Sequence, residues 1–406
     1  MSSKIDFIRT PSPFLQIVTG GGIRFSTLAE FWGAPKAGKS TFCYQCAGNF
    51  LLDFKDKAEL KIIDSESSFD DVRMNYTFGL DSKDKRTEIV GVSHIEQGMK
   101  VIEDWIVSLP SDKYMLVIWD TLSSCPTKSS FSATREAKDF DKLTMYAGGQ
   151  GDRAKVIKHY GRGLMSALYG KNVCLFFPTQ VFSSLSPYGA KEQSGDGSAF
   201  KHNIGYSFHF TRWSPSRIKD ELSYDTSDEV ISPFTIANMS LTKSRFSPEF
   251  KDSPLFVNNQ AGGIIDSRKS LFLHAKVTDR LLKKQGRYYY KFTDEKDVKK
   301  REPDPNITGK YWDDLIEDNE IYNYLTKEVL LETRKNYPII NRAYEVQGFP
   351  RLATYFPDEK FDSDDEKMDK QRANNKFDLE SFLSIPQKDL SNESKLSTLQ
   401  PIKSKK

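Results

Sequence analysis

The sequence predicts an α/β protein built on a mostly parallel twisted sheet flanked by helices, followed by a small C-terminal α/β module and a disordered tail. Three observations predict it. From Leu28 to Gln180, short apolar runs alternate with helix-period segments, the pattern of a parallel sheet covered by helices. The stretch FWGAPKAGKSTF, residues 31–42, sets glycine, lysine and serine in the spacing G-x-x-x-x-G-K-S between an expected strand and an expected helix. After Gln180 the texture changes to a long Gly- and Ser-rich stretch, SSLSPYGAKEQSGDGS (183–198), before strand-like runs return.

Residues 1–26 read as a short N-terminal segment and 27–266 as the core. The expected strands are TLAEFW (27–32), ELKIID (59–64), TEIVGV (87–92), YMLVIWD (114–120) and NVCLFFPTQ (172–180). Between them, residues 95–109 carry Met99, Ile102, Ile106 and Leu109 on one helical face, with Pro110 as the stop. Strand-like runs at 204–213, 234–246 and 254–258 extend the same sheet. Residues 267–356 form the small mixed module. From 357 to 406 the chain is polar and charged, a disordered tail interrupted by the apolar island FDLESFLSI, which is either a docking peptide or an incidental cluster.

Composition excludes more than it assigns. The 59 basic and 56 acidic side chains leave a formal charge of only +3, so affinity for nucleic acid has to come from local clusters. The N-terminus lacks the apolar core of a secretory signal, and no stretch approaches the roughly 20 apolar residues that span a bilayer. A soluble cytoplasmic protein is expected, without membrane partners. Of the four cysteines, Cys43 and Cys46 make a C-x-x-C, but both fall on the apolar stripe of the helix after residue 38 and read as core.

The G-x-x-x-x-G-K-S spacing has a physical reason. A nucleoside triphosphate brings several negative charges, which backbone amides and a helix N-terminus offset best when glycine lets the chain approach closely. Gly33, Ala34, Pro35, Lys36, Ala37, Gly38, Lys39, Ser40 and Thr41 would form that loop, with Lys39 reaching the terminal phosphates and Ser40 offering its hydroxyl to Mg²⁺. Asp120, ending YMLVIWD, is the expected carboxylate partner of the Mg²⁺, acting through water. Glu66, in IIDSES, can orient a water for attack on ATP, although SESSFDD also reads as a helix-capping cluster.

The collinear order of phosphate loop, Glu66, Asp120 and Gln180 resembles the RecA family of DNA strand-exchange ATPases. FIRTPSPFLQIVTGGG, DSESSFDDVRMNYTFGLD, LTKSRF and GGIIDSRKSLFLHAKVTDRLLKKQGRYYYKF look most similar to the UvsX-type recombinases of large phages, over residues 7–330. The resemblance implies an ATP-dependent recombinase with a RecA-like phosphate-loop ATPase core. It would coat single-stranded DNA as a homo-oligomeric filament, pair it with duplex DNA, and work with loader or single-strand-binding proteins. It implies Glu66 as general base, Asp70 and Arg73 at the adenine, and Gln180 as sensor of the terminal phosphate. Lys243 and Arg245 would reach the nucleotide of the neighbouring subunit. DNA would meet segments 127–151 and 183–200, through Lys128, Arg135, Lys142, Tyr188, Lys191, Gly195, Gly197 and Lys201. Only 26 residues precede Thr27, so Ile5, Phe7 and Ile8 are the expected subunit-docking strand. Two other readings share these residues in part: a ring-forming helicase, which usually carries a separate N-terminal domain, and a non-catalytic DNA-binding accessory protein.

Overall fold

The computed structural model describes residues 7–19, 21–136, 152–184, 191–194, 203–222, 234–247, 249–259, 263–277, 281–284 and 287–290. All of them fall in the unit Met1–Gln347.

The expected strands form as β3 (Thr27–Gly33), β4 (Ala58–Asp64), β5 (Thr87–Val90), β6 (Tyr114–Asp120) and β7 (Val173–Ser184). They are joined by β9 (Tyr206–Arg212), β10 (Phe234–Ser244), β11 (Phe250–Asn258) and β12 (Ile264–Asp266). Across the sheet they run β12-β11-β10-β9-β3-β7-β6-β4-β5. Pairing is parallel from β5 through β9 and antiparallel from β9 to β12. Parallel strands are buried on both faces, which explains why YMLVIWD and VCLFF are continuous apolar runs with no alternation.

Helix α2 (Lys39–Phe54) covers one face. Its Phe42 packs against Phe31, Phe208 and Phe210. Cys43 and Cys46 are fully buried on the same helix, and burial pushes both thiols up from their ordinary range, so neither is a reactive thiolate. The other face carries α4 (Ile95–Ser108) and α6 (Asp152–Leu168) over Leu28, Val117, Trp119, Leu175 and Phe177. Each large apolar side chain buried this way contributes about 1.5–3 kcal/mol. Between β4 and β5 lies α3 (Asp71–Phe78); α5 (Lys128–Glu136) follows β6, and α7 (Pro215–Leu222) joins β9 to β10.

Three regions differ from the sequence reading. First, β1 (Phe7–Ile8) pairs with β2 (Ile23–Arg24) of the same chain, and α1 (Pro13–Val18) fills the connection. Phe7 and Ile8 are thereby buried against their own chain; Ile5 lies outside the described residues. Arg9 clamps this segment to α2 through two hydrogen bonds to Asp53, at 3.0 and 2.9 Å. Second, β7 does not end at Gln180 but continues to Ser184, because β8 (Lys191–Ser194) folds back on Val181–Ser184 as an antiparallel partner. Third, α8 (Ser267–Val277), the first helix of the expected module, rests on the core. Its Ser270 hydroxyl accepts from the Phe256 amide of β11 at 2.9 Å, and His274 stacks on Phe14 of α1 at 3.8 Å. The β13 (Leu281–Lys284) and β14 (Arg287–Tyr290) hairpin follows.

Candidate active site

Three sequence-selected positions, Gly33, Asp120 and Gln180, meet at the C-terminal edge of the parallel strands, together with Asp64. Gly33 pairs in register with Gln180, and Asp64 with Asp120. In open α/β sheets this edge is where ligands bind.

Gly33 is required by space as well as by φ. Its φ is 147°, and a Cβ there would sit 1.9 Å from the Phe210 carbonyl oxygen of β9. Gly38, at φ 88°, starts α2 in a left-handed conformation. Among the described residues no side chain caps that helix, so its first amides and the positive end of its dipole serve the loop. Lys39 Nζ donates to the Gly33 and Ala34 carbonyls, at 2.8 and 2.7 Å. Burial lowers the Lys39 pKa, and the charges of Asp120, Cys43 and Glu66 oppose that shift.

Ser40 Oγ donates to Asp120 Oδ1 at 3.1 Å. Burial pushes the Asp120 carboxyl above the usual range; the Ser40 hydrogen bond, Tyr44 and Lys39 pull it back, while the Asp64 charge adds to the rise. Tyr44 was not visible as a site residue in the sequence. Its buried hydroxyl lies within electrostatic reach of Asp120 yet outside strict hydrogen-bond geometry. The Ser40 hydroxyl and the Asp120 carboxylate are hard oxygen donors, the chemistry that suits Mg²⁺.

The SESSFDD segment forms the capping cluster, and Glu66 lies in its turn. Asp64 organises the turn, accepting from the amides of Glu66, Ser68 and Phe69 at 3.2, 3.1 and 2.9 Å. Asp70 caps α3 by accepting from the Arg73 amide at 2.8 Å. Ser65 anchors the turn to the neighbouring strand, its amide donating to the Asp120 carbonyl at 2.9 Å and its hydroxyl accepting from Trp119 Nε1 at 2.7 Å. Glu66 is left partly exposed beside the site. Partial burial raises its pKa, the Asp120 and Asp64 charges raise it further, and Lys39 lowers it.

The side of the site is closed by a turn that sequence reading missed. Gln45 of α2 exchanges two hydrogen bonds of 3.0 Å with the backbone of Ile265. This brings Gly263 over α2, where a Cβ would lie 3.6 Å from an Arg73 guanidinium nitrogen and 3.9 Å from Thr41 Oγ1. Arg73 and Thr41 therefore share one wall.

Lys243 and Arg245 are not part of this cluster. Lys243 pairs with Ser207 and Phe210 with Gly33, while the Arg245 amide bonds the Gly205 carbonyl at 3.0 Å. At about 3.3 Å per residue the two cations lie roughly 10 and 16 Å down the strand direction from the level of Gly33, and two strands across. Of the positions expected to meet DNA, Lys128 is exposed at the start of α5. Arg135 and Lys191 lie in α5 and β8, described only as backbone. Lys142, Tyr188, Gly195, Gly197 and Lys201 lie outside the described residues.

Sheet, loop and edge cluster together define an α/β protein compatible with a RecA-like core. No family model matches the chain. It is similar to the DNA repair and recombination protein RadA of Ignicoccus hospitalis, 28% identical over 130 residues, which is 29% of this chain and 40% of that relative. The matched stretch thus spans less than half of the relative's length. No described helix is long and apolar enough to cross a membrane.

Proposed function

We propose that the chain is an ATP-dependent DNA recombinase of RecA type, which binds single-stranded DNA as a filament and pairs it with duplex DNA. The observation that carries the reading is the register: Gly33 beside Gln180 and Asp64 beside Asp120, with Ser40 bonded to Asp120 at 3.1 Å. The RadA similarity supports recombination and repair at the level of the RecA family and does not reach the UvsX-type branch.

In this reading the residues 33–41 enclose the ATP phosphates, and Lys39 exchanges two loop carbonyls for phosphate oxygens. Ser40 and Asp120 hold Mg²⁺, which when bound neutralises charge on the phosphates. Glu66 takes the proton of the attacking water, its raised pKa bringing it closer to working pH. Asp70 and Arg73 border the base. Lys243 and Arg245, remote from their own loop, complete the site of an adjoining subunit and stabilise charge developing there.

Electron microscopy of the full chain with single-stranded DNA and a slowly hydrolysed ATP analogue tests this. Filaments support the recombinase; closed rings favour a motor, and no assembly favours an accessory DNA-binding protein.

A further inference from the structure

The turn after Asp120, residues 121–125, is bonded to β7, to the turn after β4 and to α6. Thr121 Oγ1 donates to the Pro178 carbonyl of β7 at 2.5 Å, and the Gln180 amide donates to Ser123 Oγ at 3.3 Å. Cys125 Sγ donates to Ser65 Oγ at 3.0 Å, one residue before Glu66. From the opposite side Arg153, in the first turn of α6, donates to the Leu122 carbonyl at 2.7 Å and to the Cys125 carbonyl. One guanidinium thus grips both ends of a turn whose other bonds reach Glu66's turn and Gln180.

The geometry points to Arg153 as a positioning residue that couples the start of α6 to the nucleotide site through this turn, with Ser123 as the turn's hold on Gln180. The inference rests on the DNA-stimulated ATPase reading above. Helix α6 follows directly on segment 127–151, one of the two proposed to meet DNA, so a displacement of its first turn is passed to the turn and from there to Ser65 and Gln180. The chemistry is specific to arginine: its planar fork spans two carbonyls at fixed separation, whereas a lysine ammonium is a single point charge on a flexible stem. Ser123 has no charge to offer DNA, which separates coupling from direct contact.

The test compares full-length Arg153→Lys and Ser123→Ala with the parent. ATP turnover is measured alone and across a titration of single-stranded DNA, beside DNA binding by fluorescence anisotropy and thermal melting. Both variants are expected to bind DNA as the parent does and to keep basal turnover. Both should lose about 10-fold of the DNA-stimulated kcat at an unchanged half-saturating DNA concentration. Ser123→Thr, which retains the hydroxyl, should restore stimulation. Parental stimulation in Arg153→Lys or Ser123→Ala overturns the coupling, as does a loss of DNA affinity in step with stimulation, which would make Arg153 a DNA contact. If Arg153→Lys melts too low to assay, the Ser123→Ala and Ser123→Thr pair decides. A parent whose turnover DNA leaves unchanged overturns the recombinase reading itself, so the two failures are told apart.

Discussion

Ser40 Oγ and Asp120 Oδ1 share a hydrogen bond of 3.1 Å, although 80 positions separate the two residues. The bond joins the first turn of α2 to the last residue of β6, and Lys39 lies alongside with its ammonium on the loop carbonyls. A hydroxyl, a carboxylate and a cation are thus assembled by the sheet itself. Among the described residues Lys39 hydrogen-bonds only its own loop's carbonyls, so Lys39→Ala should leave the fold intact and reduce hydrolysis by at least about 10²-fold. Phosphate release beside circular dichroism checks both halves of the expectation.

Glu66 stands apart from that pair, on a turn shaped by Asp64 and anchored by Ser65. Its place predicts that Glu66→Gln still binds ATP, since Glu66 is not needed to hold the phosphates, but does not turn it over and stays on DNA. Nucleotide binding measured with a fluorescent analogue and DNA release after ATP addition are the readouts. Turnover at the parental rate removes Glu66 from its role.

The register of β10 makes the two cations LTKSRF offers unable to serve their own loop. Lys243→Ala and Arg245→Ala should therefore retain ATP binding and lose DNA-stimulated turnover. Each, mixed with Lys39→Ala subunits, should recover part of it, because one subunit of a mixed pair has an intact loop and the other intact cations. Turnover of the mixtures no higher than that of the separate variants counts against action between subunits.

The glycine turn between β3 and α2 and the place of Asp120 were legible in the sequence because the information is local: a strand, a turn that needs glycine, a helix, and a carboxylate ending an apolar run. What was not legible depends on pairing. Phe7 and Ile8 look like a free apolar edge until Ile23 and Arg24 are seen beside them. Gln180 looks like a strand end because Ser183 and Ser184 carry no apolar signal, yet β8 supplies their ladder partners. Gly263 acquires a place at the site only through Gln45, whose amide happens to face β12 from a helix read as core.

His274 predicts a pH dependence of stability. It is fully buried in α8, and desolvation pushes its pKa down from 6.5 to about 3. The folded state therefore binds this proton more weakly than the unfolded state. The histidine's contribution to stability is fully present above the unfolded value of 6.5 and is lost as pH falls toward the folded value of about 3. Across that window the loss is about 1.4 kcal/mol per pH unit for this one group. Urea midpoints at pH 7, 6 and 5 should fall more steeply for the parent than for His274→Gln. The variant lacks the Phe14 stacking and starts about 1 kcal/mol less stable at pH 7.

Gly98 gives a prediction whose sign opposes helix propensity. In the middle of α4, alanine is normally favoured over glycine by about 1 kcal/mol. Here a Cβ would lie 2.3 Å from the Trp119 ring, and Trp119 of β6 is fully buried against α4. The indole cannot yield without disturbing its Nε1 bond to Ser65, the residue that anchors Glu66's turn. Gly98→Ala should therefore destabilise by about 1–3 kcal/mol, the usual result of overpacking, and should lower turnover as well. Gly163, exposed on α6 with open space where a Cβ would go, is the control: Gly163→Ala should raise the melting temperature. If Gly98→Ala is as stabilising as Gly163→Ala, the close approach of Trp119 to α4 is wrong, and the anchoring of Glu66 through Ser65 loses its support.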